Sequence, residues 1–498
     1  MDSNDRRLYV AVIACALVPY VPALWNGFAM DDGYIILWNP AVHSISGLWR
    51  VFGGPYWPPD FGGQMYRPFP LATFVLDWQL GSLAWFHAVN LLWHAGAAVA
   101  VAALARRWAG STAALAAGLI FAVHPVHVEA VANVIGRAEL IAAVGACLAV
   151  YAAVVQQSVG WSALALIAGL LSKENAAVTP ALIAWAWIVG VGGPPPSRGR
   201  MMAFAASWVI IGAAYLAVRA TVLHPYAQLH ALAPVFAGQR PVEMRLTAMA
   251  ALADVARLLV FPLTLRADYS PAEREAVSSL LEWRFLLGLA AVAFWAVLLW
   301  VAWRRGRRVE ALGLGWIAIA FLPVANLLLP TGILVAERAL YLPSVGLALA
   351  AGSALARPPH QRFKATVLVL VLAGVARTAL RVPVWRDDKS VTLSILEDSP
   401  QSYRGPARAG ILLQDARQPA KALAAFTEAA RIYDRDPALL VAAADAAYAL
   451  GRPRLADSLL TLVDRDCRLC RGYYRIQAAA ARSRGDSAVA DSLLAWTR

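Results

Sequence analysis

Two adjacent carboxylates, Asp31 and Asp32, follow the first apolar stretch of the chain. At a membrane surface, one carboxylate of such a pair can act as a general base while the other orients it or raises its basicity. The same pair can instead be the solvated start of a loop that closes an Asx-type turn. The residue types alone therefore leave a catalytic and a structural role open.

Further ionisable side chains lie where apolar segments end, at one predicted face of the bilayer. Charge inside a bilayer is costly unless it is used, so their number favours a functional site over scattered interface anchors. Arginines there can bind a phosphate bidentately, and a phosphate leaving group needs no strong general acid. This chemistry suits inverting glycosyl transfer from a lipid-borne phosphate donor. The candidates beside Asp31 and Asp32 are Arg67, His124, His127, Glu129, Arg137, Lys173, Glu174 and Arg338.

The sequence predicts neither a metal nor another cofactor. His124, His127 and Glu129 are residue types that bind metals, but Pro125 stands between the histidines, which are not set out on one helix face. In the Cys467-Arg-Leu-Cys470 motif, an arginine follows where a haem attachment site requires histidine, and two cysteines alone make no zinc site. We predict a local disulfide there, in an oxidising compartment.

Long apolar segments must position these groups. The 498-residue chain is 60% hydrophobic and 15% charged, whereas a soluble domain carries roughly a quarter charged residues. Apolar stretches of about 18–20 residues can cross a bilayer as helices. The pattern predicts an all-α protein with a membrane domain over 1–382 and about eleven transmembrane helices. The predicted spans are 8–25, 84–105, 111–124, 138–155, 161–172, 176–192, 203–221, 285–303, 311–329, 337–356 and 364–382.

Basic residues indicate the orientation of these spans. They cluster in loops on one side, which the positive-inside rule makes cytoplasmic. The N-terminus is then cytoplasmic, whereas the first long loop, 26–83, and the C-terminus are exoplasmic. Segment 246–263 is predicted to be re-entrant or interfacial, because a further span there would move a basic cluster outside. The net charge of +13 thus reflects topology and predicts no nucleic-acid partner. The clusters are Arg6/Arg7, Arg106/Arg107, Arg198/Arg200, Arg304/Arg305/Arg307/Arg308 and Arg357/Arg362/Lys364.

The C-terminal part of the chain repeats itself. The segment Ala456-Asp-Ser-Leu-Leu recurs 34 residues later from Ala490, and Gly451 and Gly485 occupy equivalent turn positions. A 34-residue period is typical of tetratricopeptide (TPR) helix hairpins, which bind extended peptides or partner proteins in a concave groove. We predict a linker over 383–401 and about three repeats over 402–498.

Several motifs in one order resemble a known family, the transmembrane and tetratricopeptide-repeat (TMTC) protein O-mannosyltransferases of the GT-C glycosyltransferase superfamily. The resemblance spans about 26–390 and continues into the repeats. Collinear motifs are far more specific than any one of them. They are Met30-Asp31-Asp32-Gly-Tyr-Ile, Tyr66-Arg67-Pro68, Phe86-His87-x-x-Asn90-x-x-x-His94, Phe121-Ala-x-His124-Pro125-Val-His127-x-Glu129-Ala130, Gly136-Arg137-Ala-Glu139-Leu140, Ser172-Lys173-Glu174, Asp268-Tyr269-Ser270 and Ala336-Glu337-Arg338-x-Leu-Tyr341-x-Pro343-Ser344.

The resemblance implies a GT-C-like membrane domain that moves a mannose-like hexose from a polyprenyl-phosphate donor to Ser or Thr hydroxyls of exported proteins, recruited by the repeats. It also implies that the essential acid lies in the first exoplasmic loop. One of Asp31 and Asp32 is then the base, with a slight preference for Asp31, and the other positions a substrate. The donor phosphate is assigned to Arg67, Arg137, Lys173 and Arg338, and the sugar or acceptor site to His124, His127 and Glu129.

The details of this function stay open in the sequence. Arginine outnumbers lysine 40 to 4, which fits a GC-rich bacterial genome, an inner-membrane location and an undecaprenyl-phosphate donor whose sugar need not be mannose. About three repeats are fewer than family members usually carry, so the acceptor groove would be short. One alternative is a transferase acting on a lipid or surface glycan, and another is a non-enzymatic repeat scaffold. A transporter would place its ionisable groups near mid-membrane.

Overall fold

The computed structural model describes residues 3–59, 63–226, 232–357, 360–463 and 468–497. Within these ranges the regular elements are helices and no strand occurs, so the predicted all-α fold class is confirmed. Seven helical segments in the described residues are long and apolar enough to cross a membrane. They are Ser3–Trp25, Leu83–Ala122, Val134–Val154, Arg198–Leu223, Trp283–Arg304, Glu337–Leu355 and Arg362–Trp385.

The predicted membrane domain contains fourteen α-helices in its described residues, joined by short 3-10 turns. The α-helices are α1 (Ser3–Leu17), α2 (Gly47–Arg50), α3 (Pro68–Leu80), α4 (Leu83–Ala122), α5 (Val128–Ala132), α6 (Arg137–Val154), α7 (Val159–Leu170), α8 (Thr179–Val189), α9 (Arg198–Leu223), α10 (Pro241–Val260), α11 (Trp283–Arg304), α12 (Arg308–Phe321), α13 (Tyr341–Leu355) and α14 (His360–Arg381). The tighter turns are Val18–Trp25, Pro40–Val42, Val51–Gly53, Pro125–His127, Val134–Gly136, Glu174–Val178, Pro234–Phe236, Leu322–Val324, Glu337–Leu340 and Val382–Trp385, and Gly33–Leu37 is a π-helix.

The predicted spans map onto helices of unequal length. Helix α4 contains two of them, separated at Gly110, whose φ of 85° breaks the helical path in a conformation that glycine adopts freely. Helices α7, α8 and α12 are only 12, 11 and 14 residues long. Each is shorter than the roughly 20 residues that a bilayer crossing needs. The count of eleven crossings and the orientation therefore stay predictions.

Small residues let the central helices approach closely. Helices α1, α4, α6, α12 and α13 share one buried apolar core. A Cβ atom built on Gly313 of α12 would lie 2.3 Å from the Gly346 carbonyl oxygen of α13, and one built on Gly346 would lie 2.3 Å from the Gly313 oxygen. Side chains at these two positions would force the helices apart. This close packing of backbones is typical of helices in membranes.

The tail, defined here as residues 383–498, adds seven α-helices in its described part. Pro419, Pro437 and Pro453 each occupy the first position of a helix, where proline has the required φ and no intrahelical donor is lost. The helices are α15 (Asp388–Asp398), α16 (Arg404–Asp415), α17 (Pro419–Ile432), α18 (Pro437–Ala449), α19 (Pro453–Thr461), α20 (Arg468–Ser483) and α21 (Ser487–Ala495).

Successive tail helices pack in pairs, α16 on α17, α18 on α19 and α20 on α21. Gly451 and Gly485 have φ values of 67° and 89° and make the turns before α19 and α21, the two helices that carry the repeated segment. The first alanine of each copy, Ala456 and Ala490, is fully buried. The identification of the pairs as TPR repeats stays a prediction. Cys467 and the side chain of Cys470 lie outside the described residues, so the predicted disulfide stays untested.

Candidate active site

A tight turn carries the two adjacent carboxylates. The Asp32 amide donates to the Ala29 carbonyl oxygen at 3.2 Å, and the Ala29 amide donates back to Asp32 Oδ2 at 3.1 Å. Between them, Met30 has a φ of 58°, a left-handed conformation that is uncommon for a residue with a side chain. The turn therefore sends the Asp31 and Asp32 side chains into different surroundings.

The Asp32 carboxylate is a buried structural link. It is 0% exposed and accepts hydrogen bonds from the amides of Ile135 at 2.8 Å and Val134 at 3.4 Å, in addition to that of Ala29. Burial raises the pKa of Asp32 to about 7, and the neighbouring charge of Asp31 adds to the rise, although the three amide donors oppose it. This side chain fastens the first loop to the segment that precedes α6.

The Asp31 carboxylate lies instead at the junction of two cavities, both of which it lines. In the described part of the chain, no hydrogen bond or ion pair ties up its oxygen atoms. Glu129, Asn133 and Arg338 line both cavities as well. Asp31 is thus an available carboxylate where two spaces meet.

The larger space, the helix-side cavity, has a volume of about 380 Å³. Its wall combines apolar side chains from the first loop and from α10 and α12 with three cations, Arg67, Lys173 and Arg338. Such a lining can hold a phosphate while its apolar part covers an attached hydrocarbon. The apolar side chains include Ile35, Tyr56, Trp57, Met65, Val255, Phe321, Val324 and Leu340.

Each of the three cations is held by its own carboxylate. Arg67 pairs with Glu174 at 2.8 Å, and Lys173 pairs with Glu139. Burial opposes ionisation of Glu174, but the ion pair and hydrogen bond with Arg67 outweigh it and lower the pKa of that carboxyl. These pairs fix the cations in place around the cavity.

Arg338 is fixed in the same way. It pairs with Glu129 through its guanidinium, and its backbone amide donates to Glu129 Oε2 at 2.8 Å. Because both residues line both cavities, this pair stands beside Asp31 at the junction. Glu129 therefore orients a cation there.

The smaller space, the tail-side cavity, has a volume of about 120 Å³ and is walled partly by the tail. Trp385 and Arg404 line it together with Arg266 and Asp268 of the loop after α10. Asp268 joins the two parts of the chain, because its Oδ2 accepts a hydrogen bond from the Ser402 hydroxyl at 2.6 Å. Arg404 lies 3.5 Å from the other Asp268 oxygen. The start of the tail thus completes this cavity.

Five sequence-predicted residues line neither cavity: besides Asp32 and Glu174, they are three interior links. Arg137 is fully buried and bonded to Asp77, to Asn90 Oδ1 at 2.8 Å and to the Phe86 carbonyl oxygen at 2.8 Å. These partners make Arg137 an interior link between α3, α4 and α6.

The two histidines are also interior links. His124 Nε2 lies 2.9 Å from the Leu259 carbonyl oxygen, and His127 Nε2 lies 2.7 Å from Ser344 Oγ. Both rings are buried, and neither lines the helix-side or the tail-side cavity. Among the described residues, no group of three or more His, Cys, Asp or Glu side chains could hold a metal ion.

The structure also brings residues to the site that sequence reasoning missed. Arg266, Arg404, Asn133 and Trp385 line a cavity beside Asp31, yet none was among the predicted site residues. Arg404 falls inside the predicted repeats, so its sequence position suggested a peptide groove. Only the Asp268-Tyr269-Ser270 motif of the family resemblance could have pointed to its partner on the membrane domain.

Comparisons with known proteins support the resemblance seen in the motifs. A protein O-mannosyl-transferase of Caenorhabditis elegans is 27% identical over 83% of this chain and 61% of its own length. The mouse protein O-mannosyl-transferase TMTC3 is 25% identical over 88% of this chain and 52% of its own length. The human protein O-mannosyl-transferase TMTC4 is 27% identical over 78% of this chain and 62% of its own length.

These matches cover only part of each relative's length. The chain spans about half to three fifths of the length of these curated relatives. No family model matches the chain, and no solved structure does. Over most of its own length, however, the chain is a homologue of proteins named as TMTC-type protein O-mannosyl-transferases, which confirms the resemblance.

Proposed function

We propose that this protein is a membrane-embedded protein O-mannosyltransferase. It transfers mannose from a polyprenyl-phosphate donor to a Ser or Thr hydroxyl of an exported protein, and Asp31 is the general base. The observation that carries the proposal is the position of the Asp31 carboxylate, which lines both cavities at their junction. The names of the homologues support the choice of mannose and of a protein acceptor.

The helix-side cavity suits the donor. Its cations Arg67, Lys173 and Arg338 can hold the phosphate, and its apolar wall can cover the first part of a polyprenyl chain. Because each cation is already oriented by a carboxylate, little reorganisation is needed when the donor binds. The sugar then lies toward the junction, beside Asp31.

The tail-side cavity suits the acceptor. It is walled by Trp385 and Arg404, at the start of the tail, so a chain held by the tail helices can place a hydroxyl there. The predicted repeats supply such a surface. The acceptor and the donor thereby reach Asp31 from different sides.

The reaction then follows from this arrangement. Asp31 takes the proton of the acceptor hydroxyl as its oxygen bonds to the anomeric carbon of mannose. The bond from that carbon to the phosphate oxygen breaks, and its electron pair leaves with the polyprenyl phosphate. The cations around the helix-side cavity stabilise the negative charge that develops there. Attack from the side opposite the phosphate inverts the anomeric centre.

The test is sugar transfer by the purified full-length protein. Polyprenyl-phosphate mannose and a Ser/Thr-containing peptide are supplied, and mass spectrometry detects one added hexose on the peptide. Asp31→Asn should lower the transfer rate at least about 10²-fold, because a general base contributes about that much or more. Glu397→Gln, a change to an exposed carboxylate of α15 outside the predicted repeats, is the matched control and should retain activity. Full activity in correctly folded Asp31→Asn would overturn the proposal.

A further inference from the structure

We propose that Asp388, at the start of α15, is a positioning residue that holds the Asp31 turn in its working conformation and connects it to the first helix of the paired tail helices, α16. This inference rests on the proposed role of Asp31. Asp388 lines neither cavity, so it acts through the backbone rather than on a substrate.

The central contact is a hydrogen bond to the residue just before Asp31. The Met30 amide donates to Asp388 Oδ1 at 2.8 Å, across 358 positions of sequence. Met30 is the residue with the φ of 58°. A left-handed methionine persists only where surrounding contacts determine its conformation. Asp388 supplies such a contact from the tail, while Asp32 supplies one from the interior by accepting the Ala29 amide.

Neighbouring contacts with the tail backbone reinforce the hydrogen bond between Asp388 and the Met30 amide, which we call the clamp. The Gly27 amide donates to the Arg386 carbonyl oxygen at 2.8 Å, and Asn26 Nδ2 donates to the Trp385 carbonyl oxygen at 3.2 Å. The segment 385–388 therefore bonds to the segment 26–30 at three points. The beginning of the tail therefore packs along the turn. Of the three hydrogen bonds, only that of Asp388 is made by a side chain of the tail.

The same carboxylate oxygen also reaches the tail helices. Arg408 Nη2 on α16 donates to Asp388 Oδ1 at 2.6 Å. One oxygen thus accepts hydrogen bonds from both the Asp31 turn and α16. A displacement of α16 when an acceptor occupies the tail would therefore shift Asp388 and change its hydrogen bond to the Met30 amide. Because a shift of about 1 Å at a reacting group can cost 10²-fold in rate, this contact can tune the base.

Kinetics of three variants test the positioning role. Asp388→Ala removes the acceptor of the Met30 amide and should lower kcat about tenfold, with the KM for the donor changed less than about twofold. Asp388→Asn keeps an oxygen acceptor and should retain kcat within about threefold of the wild type. Glu397→Ala, which changes an exposed carboxylate of the same helix, should leave kcat unchanged. Unchanged kcat in Asp388→Ala, or an equal loss in Asp388→Asn, would overturn the proposal.

Hydrogen exchange of the full-length protein tests the clamp without relying on sugar transfer. In Asp388→Ala, the amides of residues 26–32 should exchange roughly tenfold faster, because the Met30 amide loses its partner. Those amides should be unaffected in Glu397→Ala. Unchanged exchange in Asp388→Ala would overturn the clamp even if the wild type transfers sugar. Faster exchange in a protein whose wild type transfers no sugar would instead retain the clamp and reject the proposed function.

Discussion

The two cavities that meet at Asp31 are built in different ways. The helix-side cavity takes its cations from loops within the predicted membrane domain, and each cation is paired with a carboxylate beside it. The tail-side cavity needs residues from both the membrane domain and the tail, joined through Asp268. In the proposed function, the charged group of the donor therefore binds at a site that the predicted membrane domain builds without the tail. In the same proposal, the acceptor side depends on how the tail packs on the membrane domain, so the acceptor can change without a change in the donor site.

Of the changes considered, one at Arg67 should distinguish the proposed functions of the two cavities most strongly. Arg67→Ala should raise the KM for the donor about tenfold, because a cation of the helix-side cavity is lost. The KM for the peptide should stay within about twofold. Steady-state kinetics with each substrate varied in turn provides the measurement.

A double variant separates phosphate binding from structure in this experiment. Arg67→Ala leaves the Glu174 carboxylate without its ion-pair partner, which by itself lowers stability. In the double variant Arg67→Ala/Glu174→Ala, thermal stability should recover while the KM for the donor stays raised. Recovery of both would mean that Arg67 acts only on the fold.

A smaller effect, on the KM for the peptide instead of the KM for the donor, is expected on the tail side. Arg404→Ala should raise the KM for the peptide about fivefold and leave the KM for the donor unchanged, because Arg404 lines only the tail-side cavity. The same kinetic assay measures it. Arg240→Ala, which removes an exposed arginine just before α10 and outside the tail, serves as the control. A change confined to the KM for the donor would contradict the division between the cavities.

The smallest effect concerns Asp32, which anchors the loop between the cavities. Its pKa of about 7 in the folded protein lies above its ordinary value of 3.8. The folded state therefore binds more protons between these values, so its stability falls as the pH rises from about 4 to 7 and levels off above. Asp32→Asn should remove this slope, and the thermal midpoint of the wild type should fall by roughly 2 °C more than that of the variant between pH 5 and 7.5. Parallel curves would show that Asp32 does not titrate in this range.

Sequence reasoning identified the helical class and the loop that carries the paired acids, because both depend on local pattern. It could not separate Asp31 from Asp32, since neighbours in sequence have the same local context. The difference arises from the amide of Ile135, 103 residues away. Likewise, Arg137 has the residue type of a phosphate ligand, but burial against Asp77 makes it an interior link. Only the folded chain contains these contacts.

The contact between the tail and the membrane domain could not be predicted from the sequence for the same reason. Asp268 and Ser402 are 134 residues apart, and neither lies in a motif that specifies the other. Asp388 fell in a stretch that the composition indicates only as a linker. Residues that act through long-range polar contacts leave no periodic signal, unlike apolar residues on a helix face.

Locating the bound donor tests the proposed function most directly. A polyprenyl phosphate with a photoreactive group in its hydrocarbon chain is cross-linked to the full-length protein, and labelled peptides are identified by mass spectrometry. We expect labels at Val255, Phe321 and Val324, which line only the helix-side cavity, and loss of these labels when excess unlabelled polyprenyl phosphate competes. Competed labels at Val235 and Pro271 of the tail-side cavity, with none in the helix-side cavity, would contradict the proposed function.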